Sequence, residues 1–307
     1  MSKNPFSIYD FMGYLFPGVV VFVLFLAFSQ IGFNVTKLDQ ISLASNPELS
    51  GTFDLEKSFV LIVLCYILGH IVAYLSSITV EFASNKIFGY PSKYLLREKR
   101  QDWKSLLYNY FATEGTSSNP FFKKVKLVMK FLLKLLVMVL IFPVLFSIFT
   151  IGYIFDINGF ICRQLDSYLC ETIIGKEYLL AKMLNIKHPD VNEECDYHRI
   201  ILHYVYLNIA SSQRKTDNYI ALYGFLRSIC LLSSITFLLV SMLSIKTIDF
   251  SAPFDFHIIG AMCLLYFVSY LTFLGFVKFY RRYTLENFMA LLTCTSEDQN
   301  GAIKVNK

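Results

Sequence analysis

Long apolar stretches dominate the chain, and five of them carry no ionised side chain: residues 11–36, 58–80, 135–155, 228–245 and 256–277. An α-helix rises about 1.5 Å per residue, so about 20 apolar residues cross the hydrocarbon core of a bilayer. Each stretch is long enough, or nearly long enough, to do so. The pattern therefore predicts an all-α integral membrane protein.

The third stretch differs from the others because Pro143 divides it into arms of 8 and 12 residues, 135–142 and 144–155. Arms of that length reach about 12 and 18 Å as helices, which is too short to cross the membrane singly. We expect a kinked segment that dips into the membrane and returns, or that packs against the edge of the helical bundle.

The distribution of the 28 Lys and Arg residues distinguishes four spans from five. If 135–155 crosses, the two sides of the membrane hold 13 and 15 of these residues. If it does not cross, the two sides hold 25 and 3. Cytoplasmic loops carry an excess of Lys and Arg, so four transmembrane helices with both termini in the cytoplasm are predicted.

This topology divides the chain into four parts. We expect a first transmembrane hairpin at 1–82 (spans about 11–33 and 58–80), a cytoplasmic helical domain at 83–222 with a membrane-associated segment at 121–155, a second transmembrane hairpin at 223–280 (spans about 226–245 and 257–278), and a cytoplasmic tail at 281–307. No proline interrupts 217–245, so one helix should rise from the cytoplasmic domain into the third span.

Composition agrees with a membrane protein and excludes other classes. Hydrophobic residues make up 55% of the chain and charged residues 17%, whereas soluble domains contain about 25% charged residues. The 30 Phe and 20 Tyr exclude a disordered chain. Seven cysteines show no C-x2-C spacing, so neither a metal site nor a cofactor is expected. No nucleic-acid-binding module is recognisable either, and nucleic acid is not an expected partner.

Polar side chains inside the second span form the first candidate site. His70 lies in the middle of that span, Glu81 lies at its inner boundary, and Ser77 lies between them. Ionisable groups within a membrane mark proton or ion pathways, or form hydrogen bonds between helices. The second role is favoured for His70, because eleven residues separate it from Glu81, about 16 Å along a helix.

Small residues at four-residue spacing form a second candidate feature, the stripe of Gly69, Ala73 and Ser77. Small side chains allow close approach of helices in lipid, so the stripe predicts a helix-packing face. A pore-lining face is the alternative.

Basic residues near the predicted inner surface form a third candidate feature. Lys123, Lys126, Lys130 and Lys134 share one face of a predicted amphipathic helix, and Arg281 and Arg282 follow the fourth span. We expect these side chains to contact anionic lipid headgroups.

Four sequence patches resemble those of uncharacterised bacterial membrane proteins with four spans: GYLFPG at 13–18, LGHIVAYLSS at 68–77, GYPS at 89–92 and FVKFYRRYTLENF at 276–288. The resemblance implies a bacterial inner-membrane location. Some membrane proteins of similar layout accompany phage-defence genes, so it also implies a membrane component of a phage-defence system.

No catalytic motif is present: the chain has no phosphate-binding glycine loop, no G-x-S-x-G and no H-E-x-x-H. We therefore expect a non-enzymatic, homo-oligomeric inner-membrane protein whose cytoplasmic domain senses or scaffolds a soluble protein partner. One alternative is a triggered ion channel or pore that depolarises the membrane. The other is a membrane enzyme that acts on lipid.

Overall fold

The structure is a computed structural model that describes residues 10–30, 55–96, 120–156, 159, 162–186, 196–247 and 256–293. These residues are helical and contain no strand. The helices are α1 (Phe16–Gln30), α2 (Leu55–Ser76), α3 (Phe82–Phe88), α4 (Pro91–Leu95), α5 (Pro120–Leu140), α6 (Phe142–Phe149), α7 (Ile151–Ile154), α8 (Ser167–Met183), α9 (Arg199–Asn208), α10 (Ala210–Thr247) and α11 (Phe256–Thr293). One π-helical turn, Phe11–Leu15, precedes α1, and a second, Ser77–Glu81, joins α2 to α3.

Four helical stretches among the described residues are long and apolar enough to cross a membrane: Phe11–Gln30, Ser58–Leu95, Gln213–Ile245 and Phe256–Thr293. They coincide with the four predicted spans, so the all-helical, multi-pass character of the chain is confirmed. We refer to them as spans 1 to 4. The type of membrane and the side on which the termini lie stay predictions.

The chain bends by 76° between α5 and α6. The break falls at Ile141, and Pro143 is the second residue of α6, where a helix does not need the missing N–H. Proline therefore starts the new helix rather than kinking an old one. That this bent pair dips into a membrane stays a prediction.

A first hydrophobic core lies where spans 2, 3 and 4 meet α5 and α6. Its buried residues include Val80, Val144, Leu231 and Phe276. The single helix expected over 217–245 is observed, but it is longer: α10 starts at Ala210 and runs without a break to Thr247. Apolar side chains continue along this helix on both sides of the predicted membrane boundary, so nothing in the sequence ends it there.

A second hydrophobic core joins α4, α8 and α9 to the last turns of α11. Leu95, Ile173, Ile201 and Phe288 are buried in it. We call the described residues 91–96, 162–186 and 196–208 the insert domain, since they lie between spans 2 and 3 in the sequence. Helix α11 contributes to both cores and so connects the insert domain to the spans.

The turn that separates span 2 from the insert domain depends on one glycine. Gly89 has a φ of 80°, a conformation that a side chain would strain. Tyr90 precedes the first residue of α4, and Pro91 occupies the first turn. Helix α4 therefore begins at Pro91 and ends at Leu95.

Candidate functional site

An ion pair joins spans 2 and 3. The Arg227 guanidinium on α10 donates to the Glu81 carboxylate at the end of the π-helical turn. Both side chains are largely covered, with 12% of Arg227 and 20% of Glu81 exposed. A covered charge is stable only if it is paired and hydrogen-bonded, so each of these groups depends on the other.

The remaining donors of Arg227 also reach span 2. Its Nε donates to the Ser76 hydroxyl at 3.1 Å, and its Nη2 donates to the Ala73 carbonyl at 3.3 Å. The buried hydroxyls of Ser76 and Ser228 lie 3.3 Å apart and add a further contact between the helices. We call Ala73, Ser76, Glu81, Arg227 and Ser228 the polar cluster.

The π-helical turn Ser77–Glu81 contributes to the placement of Glu81. A π turn inserts one extra residue into an α-helix and shifts the side chains that follow it around the helix axis. Such turns occur frequently at functional sites. Ser77 is the first residue of the turn and is half-buried.

His70 belongs to a separate group. Its ring stacks on Tyr14 of span 1, with ring centroids 3.8 Å apart, and meets the edge of Tyr66 at 4.6 Å. The other edge of the imidazole is exposed on the single chain. The structure therefore does not bring His70 to Glu81, and it places Ser76 in contact with Arg227 rather than with His70.

Spans 1 and 2 touch backbone to backbone at two glycines. A Cβ atom built on Gly69 would lie 1.7 Å from the Tyr14 carbonyl oxygen, and one built on Gly18 would lie 1.7 Å from the Cys65 carbonyl oxygen. Only glycine fits at either position. Within the small-residue stripe, Gly69 thus faces span 1, while the Ala73 carbonyl belongs to the polar cluster.

The lysines of α5 lie on a helix that projects from the first core. Lys130 is exposed and Lys134 is half-buried, and the apolar residues between 125 and 136 are also exposed. Lys123 and Lys126 belong to the same helix. With Lys124 they bring its lysines to five, and α5 contains no acidic residue.

The two arginines after span 4 lie in different surroundings. Arg282 is exposed. Arg281 donates from Nη2 to the Arg163 carbonyl at 2.9 Å, and its buried Nε has no hydrogen-bond partner among the described residues. Arg281 therefore contacts the insert domain rather than pointing only outward.

A buried acid–histidine pair lies inside the insert domain. His198 Nδ1 is 2.9 Å from Glu177 Oε2 and 3.0 Å from Oε1, and both residues are almost fully covered. Next to it, the Ser92 hydroxyl donates to the Asp196 carboxylate at 2.5 Å. These contacts connect α4, α8 and α9, and we call these four residues the insert pair network.

Among the described residues, no three His, Cys, Asp or Glu side chains lie close enough together to hold a metal ion. Cys162 and Cys170 are buried in the second core, and the Cys170 thiol donates to the Leu95 and Leu165 carbonyls. His188 and Cys195 lie outside the described residues.

Sequence reasoning missed several members of these sites, among them Arg227 and Glu177. Arg227 was treated only as the residue before the apolar stretch 228–245. It is, however, the single charged residue within the longer apolar run 219–245. Glu177 was not considered, although it follows Ile173 by four residues and precedes Leu180 by three, on the buried stripe of α8. A lone charge on an apolar stripe was the available signal in both cases.

The polar cluster joins spans 2 and 3 through an ion pair and hydrogen bonds. Its donors and acceptors are directed at one another, and the described part of the cluster holds no hydroxyl or thiol paired with a histidine base as nucleophilic catalysis requires. Comparison of the chain with protein-family models, with characterised proteins and with solved structures finds no match.

Proposed function

We propose that the chain is a non-enzymatic, self-associating protein of the bacterial inner membrane, whose insert domain lies in the cytoplasm and senses or scaffolds a soluble protein partner. The observation that carries this proposal is the length of α10 and α11, 38 residues each. A helix of that length extends about 57 Å, whereas the hydrocarbon core is about 30 Å thick. Each helix is therefore long enough to link the membrane to the insert domain.

Helix α11 packs into both hydrophobic cores. Phe276 of α11 is fully buried in the first core, and Phe288, three turns later, is fully buried in the second. Lys215 of α10 lies 3.9 Å from Glu286 of α11 beside the insert domain. Two long helices that pack on each other, of which α11 reaches both cores, can transmit a displacement from one core to the other.

The surface available to a soluble partner lies on α8. Tyr168, Tyr178, Leu179 and Met183 are each more than half exposed, whereas Ile173 of the same helix is buried. Exposed apolar side chains, with two tyrosines among them, are typical of protein-binding surfaces.

A photo-crosslinking amino acid at Tyr178 or Leu179 tests this surface in intact cells, with Arg214 as an exposed control position on α10. We expect adducts with one soluble protein from the first two positions and not from the third. That protein should bind the purified chain in detergent and should lose binding to the Tyr178→Glu/Leu179→Glu variant. Binding that survives both substitutions would contradict the proposed surface.

The basic helix α5 supports a role for anionic lipid beside the bundle. Val125, Val128, Met129, Leu132 and Leu136 lie on the side opposite the lysines and are exposed. A helix with lysines on one side and bulky apolar side chains on the other lies in the membrane interface with its lysines at the headgroups. Placement of α5 in the cytoplasmic leaflet follows from the predicted topology.

A triggered ion channel is the second candidate, and the polar cluster is the observation that favours it. Charged residues within membrane spans often mark ion pathways. Ion flux into liposomes that contain the purified chain separates the two functions. Flux that Glu81→Gln abolishes while the protein remains folded would favour the channel, and absence of flux under all triggers tested would favour the scaffold. A setting in phage defence stays a prediction from the resemblance.

A further inference from the structure

Span 2 exposes one continuous side to the membrane. Val63, Ile67, His70, Ile71, Tyr74 and Ile78 recur every three or four residues and are exposed on the single chain. The opposite side of the helix packs on span 1 at Gly69 and on span 3 at Ser76. Five of these residues lie away from both neighbours, whereas His70 is exposed but also stacks on Tyr14 of span 1. We call the six residues the outer face of span 2.

Two polar groups lie at the centre of this apolar face. His70 is near the middle of the uncharged stretch 58–80, and Tyr74, which follows one turn later, is 68% exposed. A neutral imidazole has one N–H donor and one nitrogen acceptor, and a phenol has a donor and an acceptor on one oxygen. Within the described residues, neither side chain makes a hydrogen bond, and the contacts of His70 are ring contacts with Tyr14 and Tyr66.

Lipid tails cannot satisfy these groups. A hydroxyl or imidazole in hydrocarbon without a hydrogen bond loses several kcal/mol relative to water. Ionisable side chains within spans almost always face protein or a water-filled cavity. An all-apolar outer face would suit lipid, but a face with His70 and Tyr74 at its centre calls for a protein surface with matching polar groups.

The required surface is present on the chain itself. We propose that the outer face of span 2 is the contact between two copies of this chain, in which His70 of each copy pairs with Tyr74 of the other. A two-fold axis along the membrane normal makes span 2 of each copy contact the same residues of its partner. Tyr74 supplies a donor and neutral His70 an acceptor, so the face is complementary to itself.

The spacing is compatible with this arrangement. Four residues rise about 6 Å along a helix, which the lengths of a tyrosine and a histidine side chain can bridge between parallel helices. The flanking residues Ile67 and Ile71 would pack across the axis, since van der Waals contact drives helix association in lipid. The proposal specifies the self-association in the proposed function and rests on the location of span 2 in a membrane, not on the soluble partner.

The test uses the full chain in its native membrane, with a photo-crosslinking amino acid at Ile67 or Ile71 and, as matched controls, at Leu264 or Leu271 on the exposed side of span 4. Two copies with different affinity tags are co-expressed. We expect crosslinked dimers that carry both tags from the first pair and not from the second. Dimers from all four positions alike, or adducts at Ile67 with a different protein, would overturn the proposal.

The polar pair is tested by energy transfer between differently labelled copies in liposomes. His70→Leu and Tyr74→Phe should each weaken association about tenfold, because the symmetry removes two hydrogen bonds at once. His70→Gln should restore most of it, because an amide also donates and accepts. If His70→Leu fails to fold, the crosslinks at Ile67 and Ile71, made with His70 unchanged, still show whether two copies meet at this face. Association unaffected by both Tyr74→Phe and His70→Leu would also refute the pairing. If crosslinking from Tyr178 yields no soluble partner while dimers still form through Ile67 and Ile71, only the soluble-partner function is contradicted.

Discussion

Glu177 and His198 lie 21 residues apart in the sequence, and their side chains meet inside the insert domain with Nδ1 2.9 Å from Oε2. Only 5% of the Glu177 side chain and 3% of the His198 side chain are exposed. The pair connects α8 to the start of α9 beside the apolar side chains of the second core, so it contributes to how these two helices pack.

Removal of one partner should therefore destabilise the insert domain. Glu177→Ala leaves the His198 Nδ1 buried without its acceptor, which costs about 1–3 kcal/mol. Thermal unfolding followed by size-exclusion chromatography in detergent measures the loss. Glu171→Ala, at an exposed position of the same helix, is the control and should change the midpoint little. Equal midpoints for the two variants would show that the buried contact contributes nothing.

The ion pair between spans 2 and 3 predicts a non-additive pair of substitutions. Arg227→Gln should destabilise the bundle by about 3–5 kcal/mol, because it leaves the Glu81 carboxylate covered and unpaired. The double variant Glu81→Gln/Arg227→Gln should recover much of that loss, since no charge remains. Urea or thermal unfolding in detergent measures all three proteins.

The matched control for these substitutions is the exposed ion pair of Lys215 and Glu286. The two side chains lie 3.9 Å apart, and 70% of the lysine side chain is exposed. Lys215→Gln should cost less than about 1 kcal/mol. A double variant at 81 and 227 that is no more stable than Arg227→Gln alone would contradict the charge-pairing explanation.

The four long apolar helices were predictable because each depends on local properties. An uninterrupted apolar stretch such as 58–80 forms a helix in lipid whatever its neighbours do, since only internal hydrogen bonds satisfy its backbone. The absence of proline from 217–245 likewise predicted that one helix continues beyond the third span. Its start at Ala210 was not predicted, because the first turns of α10 depend on packing against α11 and α9.

The polar cluster was only partly predictable. Glu81 stood out in the sequence as an acidic residue at the end of a span, but its partner lies 146 residues away. No spacing rule relates the two positions, and the π-helical turn that helps to place Glu81 leaves no recognisable pattern in SITVE. Gly18 and Gly69 show the same limit, because each glycine contacts a backbone carbonyl of a different span.

The close contact of spans 1 and 2 predicts high sensitivity to one methyl group. Gly69→Ala should separate the two helices, since its Cβ would lie 1.7 Å from the Tyr14 carbonyl oxygen. We expect a thermal midpoint in detergent several degrees below that of the parent chain. Gly260→Ala is the control, because no atom lies within 4 Å of a Cβ at that glycine. A Gly69→Ala protein with the thermal midpoint of the parent chain would contradict the close backbone contact between spans 1 and 2.

The lysines of α5 predict a preference for anionic lipid. A triple variant, Lys123→Gln/Lys126→Gln/Lys130→Gln, should retain fewer phosphatidylglycerol molecules in native mass spectrometry, because each lysine near a charged surface contributes about 1 kcal/mol of attraction. Phosphatidylcholine retention should not change. A second triple variant at exposed Lys182, Arg214 and Lys215 removes the same charge elsewhere. Equal losses of phosphatidylglycerol from both variants would show that retention depends on the net charge of the protein and not on the lysines of α5.

The topology is tested with reporters at three positions: within 114–118, within 187–195 and after Lys307. All three should report the cytoplasm if four apolar helices cross and the bent α5–α6 segment returns to the side on which it started, as the distribution of Lys and Arg predicts. A complete crossing by 135–155 would place both 187–195 and the C-terminus outside while 114–118 stayed inside. That result would split the Lys and Arg residues almost evenly, 13 to 15, and would put Glu177, Asp196 and His198 outside the cell while Ser92 stayed inside. It would therefore refute both the positive-inside assignment and the cytoplasmic partner, while leaving the contact between two copies of span 2 untouched.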